Sequence, residues 1–256
     1  MSKPLFSIIT VCFNSAHEIE RTLKSLEKQV NRDYQYIVID GKSTDTTMAM
    51  IDKYKHLVTK LVSEPDKGVY DAMNKGLALA EGELIFFLNA GDELYENTTL
   101  QKVAADYQKA GRPEVIYGDI IEQPLKGDAY VRKFPKISYG YLYRDTICHQ
   151  ALFAQACVFE YTGPFNLKYS VCADFDWLLN AYANRRFRIH QIDEVMSIFY
   201  LGGMSSKVNG MAERRSIILK HMPLNARVPR DFYAAGFSLT KRIKNKLRRT
   251  LWPKTP

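Results

Sequence analysis

From Leu5 to about Tyr117 the chain alternates between short apolar runs and segments with helical periodicity, and no other feature limits its possible folds as much. Residues 5–12 form a strand-sized apolar run, and Ile19, Leu23, Leu26 and Val30 follow at helical spacing. Tyr34–Ile39 reads as a second strand, with Ser43 or Asp45 placed to cap a helix over Thr46–Tyr54. Val58–Ser63 is a third strand. The next helix carries Tyr70, Met73, Leu77 and Ala80 on one side and is stopped by Gly82. Glu83–Leu88 is a fourth strand, Asn97 is placed to cap a helix running through Ala110, Gly111 ends it, and Val115 opens another strand. This order predicts an α/β fold: a central, mostly parallel sheet covered by helices on both faces. Crossovers in such sheets are right-handed, and ligands bind outside the carboxyl ends of the strands.

The second half is less regular. Ile116–Ile121 and Ala129–Phe134 predict a hairpin around Lys126-Gly127-Asp128, followed by a helix over Asp174–Asn184, a strand over Arg186–Ile192 and a helix over Ala212–His221. No internal repeat or low-complexity linker separates the halves. Polar residues gather at four of the predicted strand ends: Thr10 to Asn14, Asp40, Glu64 to Asp66, and Asn89 to Asp92. Their convergence on one crevice is more specific than any one of them. The letters Gly41-Lys42-Ser43 after an apolar strand suggest an ATP-type phosphate loop, but such a loop needs a second glycine where Tyr36 stands. That reading is excluded.

Composition narrows the rest. The chain has 256 residues, 46% hydrophobic and 25% charged, enough for one large core. No apolar run approaches the roughly 20 residues of a membrane helix, and Leu5–Phe13 lacks the cleavage site of a secretory signal. Cys12, Cys148, Cys157 and Cys172 form no CxxC pair and sit in apolar contexts, as expected of buried thiols in a cytoplasmic protein. Six of the +8 chain's cations fall in Lys241–Arg249, where no acid occurs. Ile243, Leu247 and Leu251 recur there at helical spacing beside Trp252, so residues 241–252 suit either peripheral contact with an anionic membrane or a solvated tail with one packed edge. No nucleic-acid-binding motif accompanies this charge.

Four motifs, "FSIITVCFN", "VIDGKSTDTT", "EPDKGVYDAMNKGLALAEGE" and "FLNAGDEL", occur in that order over residues 5–95, with a weaker echo at "VCADFDWLLNAY". Together they resemble the family 2 glycosyltransferases of GT-A fold, in wording similar to enzymes of bacterial colanic acid and O-antigen polysaccharide assembly. The resemblance implies a Rossmann-like domain over 1–225, in which residues 1–112 bind a nucleotide sugar and 113–225 shape the acceptor side, followed by a basic tail over 226–256. It implies that Thr10, Val11 and Asn14, with Asp40, hold the uridine of a UDP-sugar, that Asp66 reaches the base, and that Asn74 and Asn89 lie near the diphosphate. Asp92 would bind Mn²⁺ or Mg²⁺ with that diphosphate, and Asp174 would be the catalytic base. The acceptor would be a lipid-linked or growing bacterial glycan at the cytoplasmic membrane face. The chain departs from the family pattern at Asn89-Ala90-Gly91 before Asp92, where acids are frequent. It departs again at Lys42, Met73 and Ala173, where a glycine, an arginine and an acid are common.

The chemistry asks for a similar arrangement. Inverting sugar transfer needs a base for the acceptor hydroxyl on one face and stabilisation of a leaving diphosphate on the other. Asp176 rivals Asp174 as the base, but residues two apart on a helix face different ways, and Asp174 is the one that matches the family. His149 suits a contact to the leaving phosphate or the acceptor, or a buried hydrogen-bonded histidine. Tyr139, Tyr141 and Tyr143 suit a sugar platform or aromatic packing. Two further readings stand beside the transferase: a nucleotidyltransferase, which would want glycines near the first strand where "TVCFNSAHE" has none, and an inactive nucleotide-sugar-binding subunit.

Overall fold

The computed structural model describes residues 3–203 and 210–221. They belong to two compact units, one running to Gly210 and one beginning at Met211. The first unit opens with the expected alternation. It runs β1 (Phe6–Cys12), α1 (Ile19–Glu27), β2 (Tyr34–Asp40), α2 (Thr47–Lys53), β3 (Lys60–Ser63), α3 (Val69–Ala78), β4 (Leu84–Phe87), β5 (Glu93–Leu94) and α4 (Thr99–Lys109). The irregular half follows as β6 (Val115–Gln123), β7 (Tyr130–Arg132), α5 (Tyr139–Leu142), a 3-10 turn at His149–Ala151, β8 (Leu152–Gln155), α6 (Ala156–Thr162), α7 (Ala173–Ala183) and β9 (Ile189–Tyr200). In the second unit the described residues form one helix, α8 (Met211–His221). Residues 241–252 lie outside the described residues.

The strands make a single sheet in the order β3-β2-β1-β4-β8-β6-β9-β5, with β7 on β6. The first four, β3, β2, β1 and β4, are mutually parallel, with Phe6 opposite both Tyr34 and Leu84. β8 then enters antiparallel to both β4 and β6, while β9 runs parallel to β6. Side chains alternate across the pleat. Phe6, Ile8, Tyr36, Val38 and Phe86 pack with Ile19, Leu23 and Leu26 of α1, Ile51 of α2 and Val103 of α4. Ile9 and Ile39 face α3 on the other side, where Gly76 lets the helix backbone approach; a Cβ at 76 would press on both isoleucines. Helices therefore cover both faces, and the interior of the parallel half is mostly apolar, with a buried Ser7–Gln35 hydrogen bond of 2.6 Å on the α3 side.

Local differences from the sequence expectations have local causes. Val30 is 58% exposed and lies past the end of α1; its N–H reaches the Asn97 carbonyl at 2.8 Å. Asn97 is thereby used by its backbone, and Thr98 takes the cap position of α4 without a side-chain bond to the helix backbone. Helix α3 ends at Ala78, and its buried face is Tyr70, Ala72, Met73 and Gly76, so Leu77 is only half-buried. Gly82 stops nothing. It crosses against β1, where a Cβ would sit 2.5 Å from the Phe6 carbonyl carbon. The last strand begins at Ile189, after a turn closed by Phe187 N–H to Asn184 O (3.1 Å), and runs on to Tyr200. Cys157 is exposed, unlike the buried thiol expected. Among the described residues, no helix is long and apolar enough to cross a membrane.

Candidate active site

The site forms where β4 ends and β8 begins. Because β8 runs antiparallel to β4, the 3-10 turn at its start lies beside the turn Asn89-Ala90-Gly91-Asp92 at the end of β4. That turn closes with Asp92 N–H to Asn89 O at 3.0 Å, and Gly91 takes φ +102°, a left-handed value suited to glycine. Thr22 of α1 fixes it from below, its hydroxyl donating to Asp92 O (2.7 Å) and accepting from Gly91 N (3.0 Å).

The Asp92 carboxylate is 5% exposed. Its Oδ2 accepts from Gln150 Nε2 at 3.0 Å and its Oδ1 from Tyr200 N at 3.4 Å. Tyr200 is held in place by its hydroxyl on Glu93 Oε1 (2.6 Å) and by Arg21 over its ring at 4.2 Å. Burial pushes the carboxyl from 3.8 up to about 6, against the opposing bond from Gln150. One residue before Gln150, His149 meets Asn89 Nδ2 through Nε2 (3.1 Å) and Asp174 Oδ2 through Nδ1 (3.0 Å). Asp174 stands in the first turn of α7, where the helix N-terminus favours a negative charge. Its Oδ1 accepts from Tyr70 OH and from Phe175 N, both at 2.9 Å. Burial alone would raise this carboxyl, but the hydrogen bond and charge attraction from His149, followed by the bonds from Tyr70 and Phe175, outweigh it and hold it below its ordinary value. The His149 and Asp174 side chains keep 16% and 18% of their surface in solvent. A continuous set of polar contacts, Asp92–Gln150 and then His149–Asp174, therefore joins the two carboxylates across adjacent residues.

The expected donor-side residues divide. Thr10 is fully buried, donating to Leu88 O (2.6 Å) and accepting from Tyr36 OH (3.0 Å), so its hydroxyl is not offered to a ligand. Val11 is a buried strand residue whose carbonyl takes Ala90 N–H. Asp40 is fully buried and accepts from Ser43 N (3.0 Å) and Ser63 Oγ (2.6 Å); it shapes the turn rather than presenting a free carboxylate. Asn74 spends both ends of its amide on the Phe165 backbone, at 2.9 and 2.8 Å, tying α3 to the loop before α7. Without a ligand, the polar side chains of Thr10, Asp40 and Asn74 make their hydrogen bonds within the fold, and the Val11 side chain is core. Asn14, at φ +47°, is exposed and accepts from Thr44 N (2.8 Å). Asp66 is half-buried and accepts from Gly68 N (2.8 Å); its carboxylate lies where a Cβ on Gly41 would point, beside the exposed ring of Phe13. Lys42 is exposed at φ +64°, which explains why glycine suits that position. Met73 is core, and Tyr139 packs edge-on to Tyr182 at 4.8 Å. Gln150, Tyr70 and Tyr200 are the contacts that sequence reasoning missed. Gln150 has one signal, its place beside His149; Tyr70 shares a helix side with Met73, which gives no sign of its hydroxyl's partner.

Among the described residues no group of three His, Cys, Asp or Glu side chains forms a metal cage. The donor set at Asp92 still suits a hard divalent cation, which needs few protein oxygens when diphosphate and water complete its shell. Asp92 ionises within reach of neutral pH, and its long bond to Tyr200 N leaves Oδ1 weakly engaged.

Comparison with known proteins gives this arrangement a family. Residues 7–159 match the family model "Glycosyl transferase family 2". A PGL/p-HBAD biosynthesis glycosyltransferase of Mycobacterium bovis is 33% identical over 235 residues, covering 89% of this chain and 88% of the relative. Two solved structures share the fold. Staphylococcus aureus TarS 1–349 in complex with UDP-GlcNAc has a TM-score of 0.68 at 19% identity, covering 94% of this chain and 77% of that one. The mannosyltransferase PcManGT from Pyrobaculum calidifontis, in complex with GDP-Man and Mn²⁺, has a TM-score of 0.68 at 16% identity, covering 93% and 71%. With its mixed α/β sheet and its family match over more than half its length, the chain is a glycosyltransferase and belongs to family 2, with the GT-A fold.

Proposed function

We propose that this family 2 glycosyltransferase is an inverting, metal-dependent enzyme that transfers a sugar from a UDP-sugar to a lipid-linked or growing bacterial glycan. One observation carries the reading: Asp92 and Asp174, from opposite halves of the sequence, are bridged by the neighbouring residues His149 and Gln150. Inversion needs such a pair, one carboxylate at the departing diphosphate and one at the attacking hydroxyl. A divalent cation held at Asp92 would supply the charge that offsets a leaving diphosphate. Asp174, kept ionised by its three donors, accepts the proton of the acceptor hydroxyl. Asn14, Asp66 and Phe13 are the exposed or half-buried side chains at the ends of β1 and β3 that meet the nucleoside. The UDP choice is supported by the likeness to a structure holding UDP-GlcNAc, and the metal by the one holding Mn²⁺. Residues 241–252 carry the peripheral membrane contact, at the cytoplasmic face, that would bring the enzyme to its acceptor.

Release of UDP from a panel of UDP-sugars, with and without acceptor glycolipid, tests the proposal. Asp92→Asn and Asp174→Asn each abolish acceptor-dependent release while the fold survives. Asp174→Asn still binds UDP in the presence of Mn²⁺. Normal turnover by Asp174→Asn would reject its role as the base.

A further inference from the structure

His149 sits between Asn89 and Asp174 with both ring nitrogens engaged, and the two contacts are not equivalent. A carboxylate can only accept, so the ring nitrogen facing Asp174, Nδ1 at 3.0 Å, must carry a proton. On the other side the Asn89 amide nitrogen, which only donates, faces Nε2 at 3.1 Å. That nitrogen must be bare. Asn89 Oδ1 is buried and has no hydrogen-bond partner among the described residues. Turning the amide over would aim this oxygen at Nε2, which satisfies it only when the ring carries a second proton. The orientation of one amide is thus coupled to the protonation of one imidazole. The titratable groups around the ring are Asp174 of α7, Asp92 after β4, the neighbouring Cys148, and Tyr70 of α3, which reaches the far oxygen of Asp174.

We propose that Asn89 sets the tautomer of His149 and, through it, aims Asp174: the Asn89 amide leaves the ring's single proton on Nδ1, where it fixes Asp174 Oδ2 and leaves one lone pair of that oxygen for the incoming hydroxyl. Oδ1 already accepts from Phe175 N and faces the Tyr70 hydroxyl, whose single proton it shares with Val171 O, so Oδ2, with one donor, is the oxygen with more capacity left. In this arrangement Asn89 and His149 are positioning residues, and neither has to touch the nucleotide sugar. The inference rests on Asp174 being the base. It also gives position 89 a stated requirement: an acid there would accept from Nε2 and drive the ring to its doubly protonated form.

Nitrogen-15 NMR of the histidine rings in the resting enzyme, without donor or acceptor, reads the tautomer directly. The signals of His149 are identified by their loss in His149→Asn. At pH 7.5 the wild-type ring carries its proton on Nδ1 and none on Nε2, and Asn89→Asp carries both. A wild-type ring protonated on Nε2 alone, or an Asn89→Asp ring unchanged from wild type, overturns the proposal. Kinetics give a second reading. An Asn side chain places its amide near Nδ1 and a Gln side chain near Nε2. His149→Gln therefore loses ~100-fold in kcat, the scale of misplaced reacting groups, with KM for the nucleotide sugar little changed, and His149→Asn recovers most of it. In His149→Gln the acid limb of the kcat profile moves to higher pH, because Asp174 loses a donor. Equal losses in the two variants, with the acid limb unmoved, overturn it as well. Because the spectrum involves no turnover, an active Asp174→Asn would remove the base while leaving the tautomer assignment standing.

Discussion

Asp92→Asn should inactivate the enzyme and make it more stable, and the size of the gain follows from its burial. Its carboxyl lies at about 6 in the folded protein against 3.8 as its ordinary value. The folded state therefore holds this proton more tightly than the unfolded one. The associated stability is complete below about 3.8 and is lost as pH rises through about 6. Two pH units at ~1.4 kcal/mol each give about 3 kcal/mol withdrawn from the native state at pH 7.5. An asparagine keeps the carbonyl that accepts from Gln150 and brings no charge into a site 5% exposed. Its NH₂ then faces Tyr200 N, where the carboxylate accepted at 3.4 Å, at a cost of about 1 kcal/mol. The balance is about 2 kcal/mol, or roughly 4–8 °C in Tm for a unit of this size. Thermal denaturation at pH 7.5 and pH 5, with a chelator present, measures it. At pH 5 the folded carboxyl is neutral but the unfolded one is still ionised, so about half of the 3 kcal/mol remains and the net gap narrows from about 2 to under about 1 kcal/mol. A variant less stable than wild type at pH 7.5, or a gap of the same size at both pH values, would refute the reasoning.

Other substitutions probe the frame and the base separately. Tyr70→Phe removes the hydroxyl that lies 2.9 Å from Asp174 Oδ1 and 2.7 Å from Val171 O. Since this donor holds the carboxyl low, the acid limb of kcat against pH moves upward, and stability falls by about 1–2 kcal/mol, both readable on the purified variant. Gly82→Ala forces a methyl group onto the β1 backbone and should cost ~1–3 kcal/mol or more, seen as a fall in Tm. Mn²⁺ with UDP raises the Tm of the wild type by ligand linkage and raises that of Asp92→Asn markedly less; an equal rise in both would place the cation elsewhere.

The strand–helix alternation was legible because each apolar run had the length and the flanking turn residues of its element; α1 to α4 begin close to where periodicity put them, though α1 stops before Val30 and α3 before Ala80. What could not be read was the joining of the halves. Nothing in the sequence around Leu152–Gln155 says that this four-residue strand inserts antiparallel beside β4, and that insertion is what carries His149 and Gln150 to Asn89 and Asp92. Side-chain roles were obscured for a related reason. Thr10, Asp40 and Asn74 stand at strand ends or on the helix facing the site, as the motif pattern requires, yet their hydrogen bonds are spent within the fold. A motif shows which residues a turn needs. It does not show which of them hold the turn and which face out from it. Tyr70 was hidden in the opposite way, its ring in the apolar face of α3 against Phe165 at 5.5 Å and its hydroxyl on the Asp174 carboxylate.

The two carboxylates are driven in opposite directions by surroundings only a few residues apart, and their proposed tasks need that difference. Asp174 has three donors and a helix N-terminus, so it stays ionised through neutral pH and is ready to receive a proton. Asp92 has one good donor and almost no solvent, so its charge near neutral pH is held at the expense of the fold. A bound cation would relieve that expense, so affinity for the cation and stability of the native state rise together. Adding an acid at position 89 would strengthen the cation site, but it would also turn the imidazole on which Asp174 rests into an imidazolium. The amide at Asn89 satisfies both demands, and it accounts for a turn that carries fewer charges than the chemistry alone would suggest.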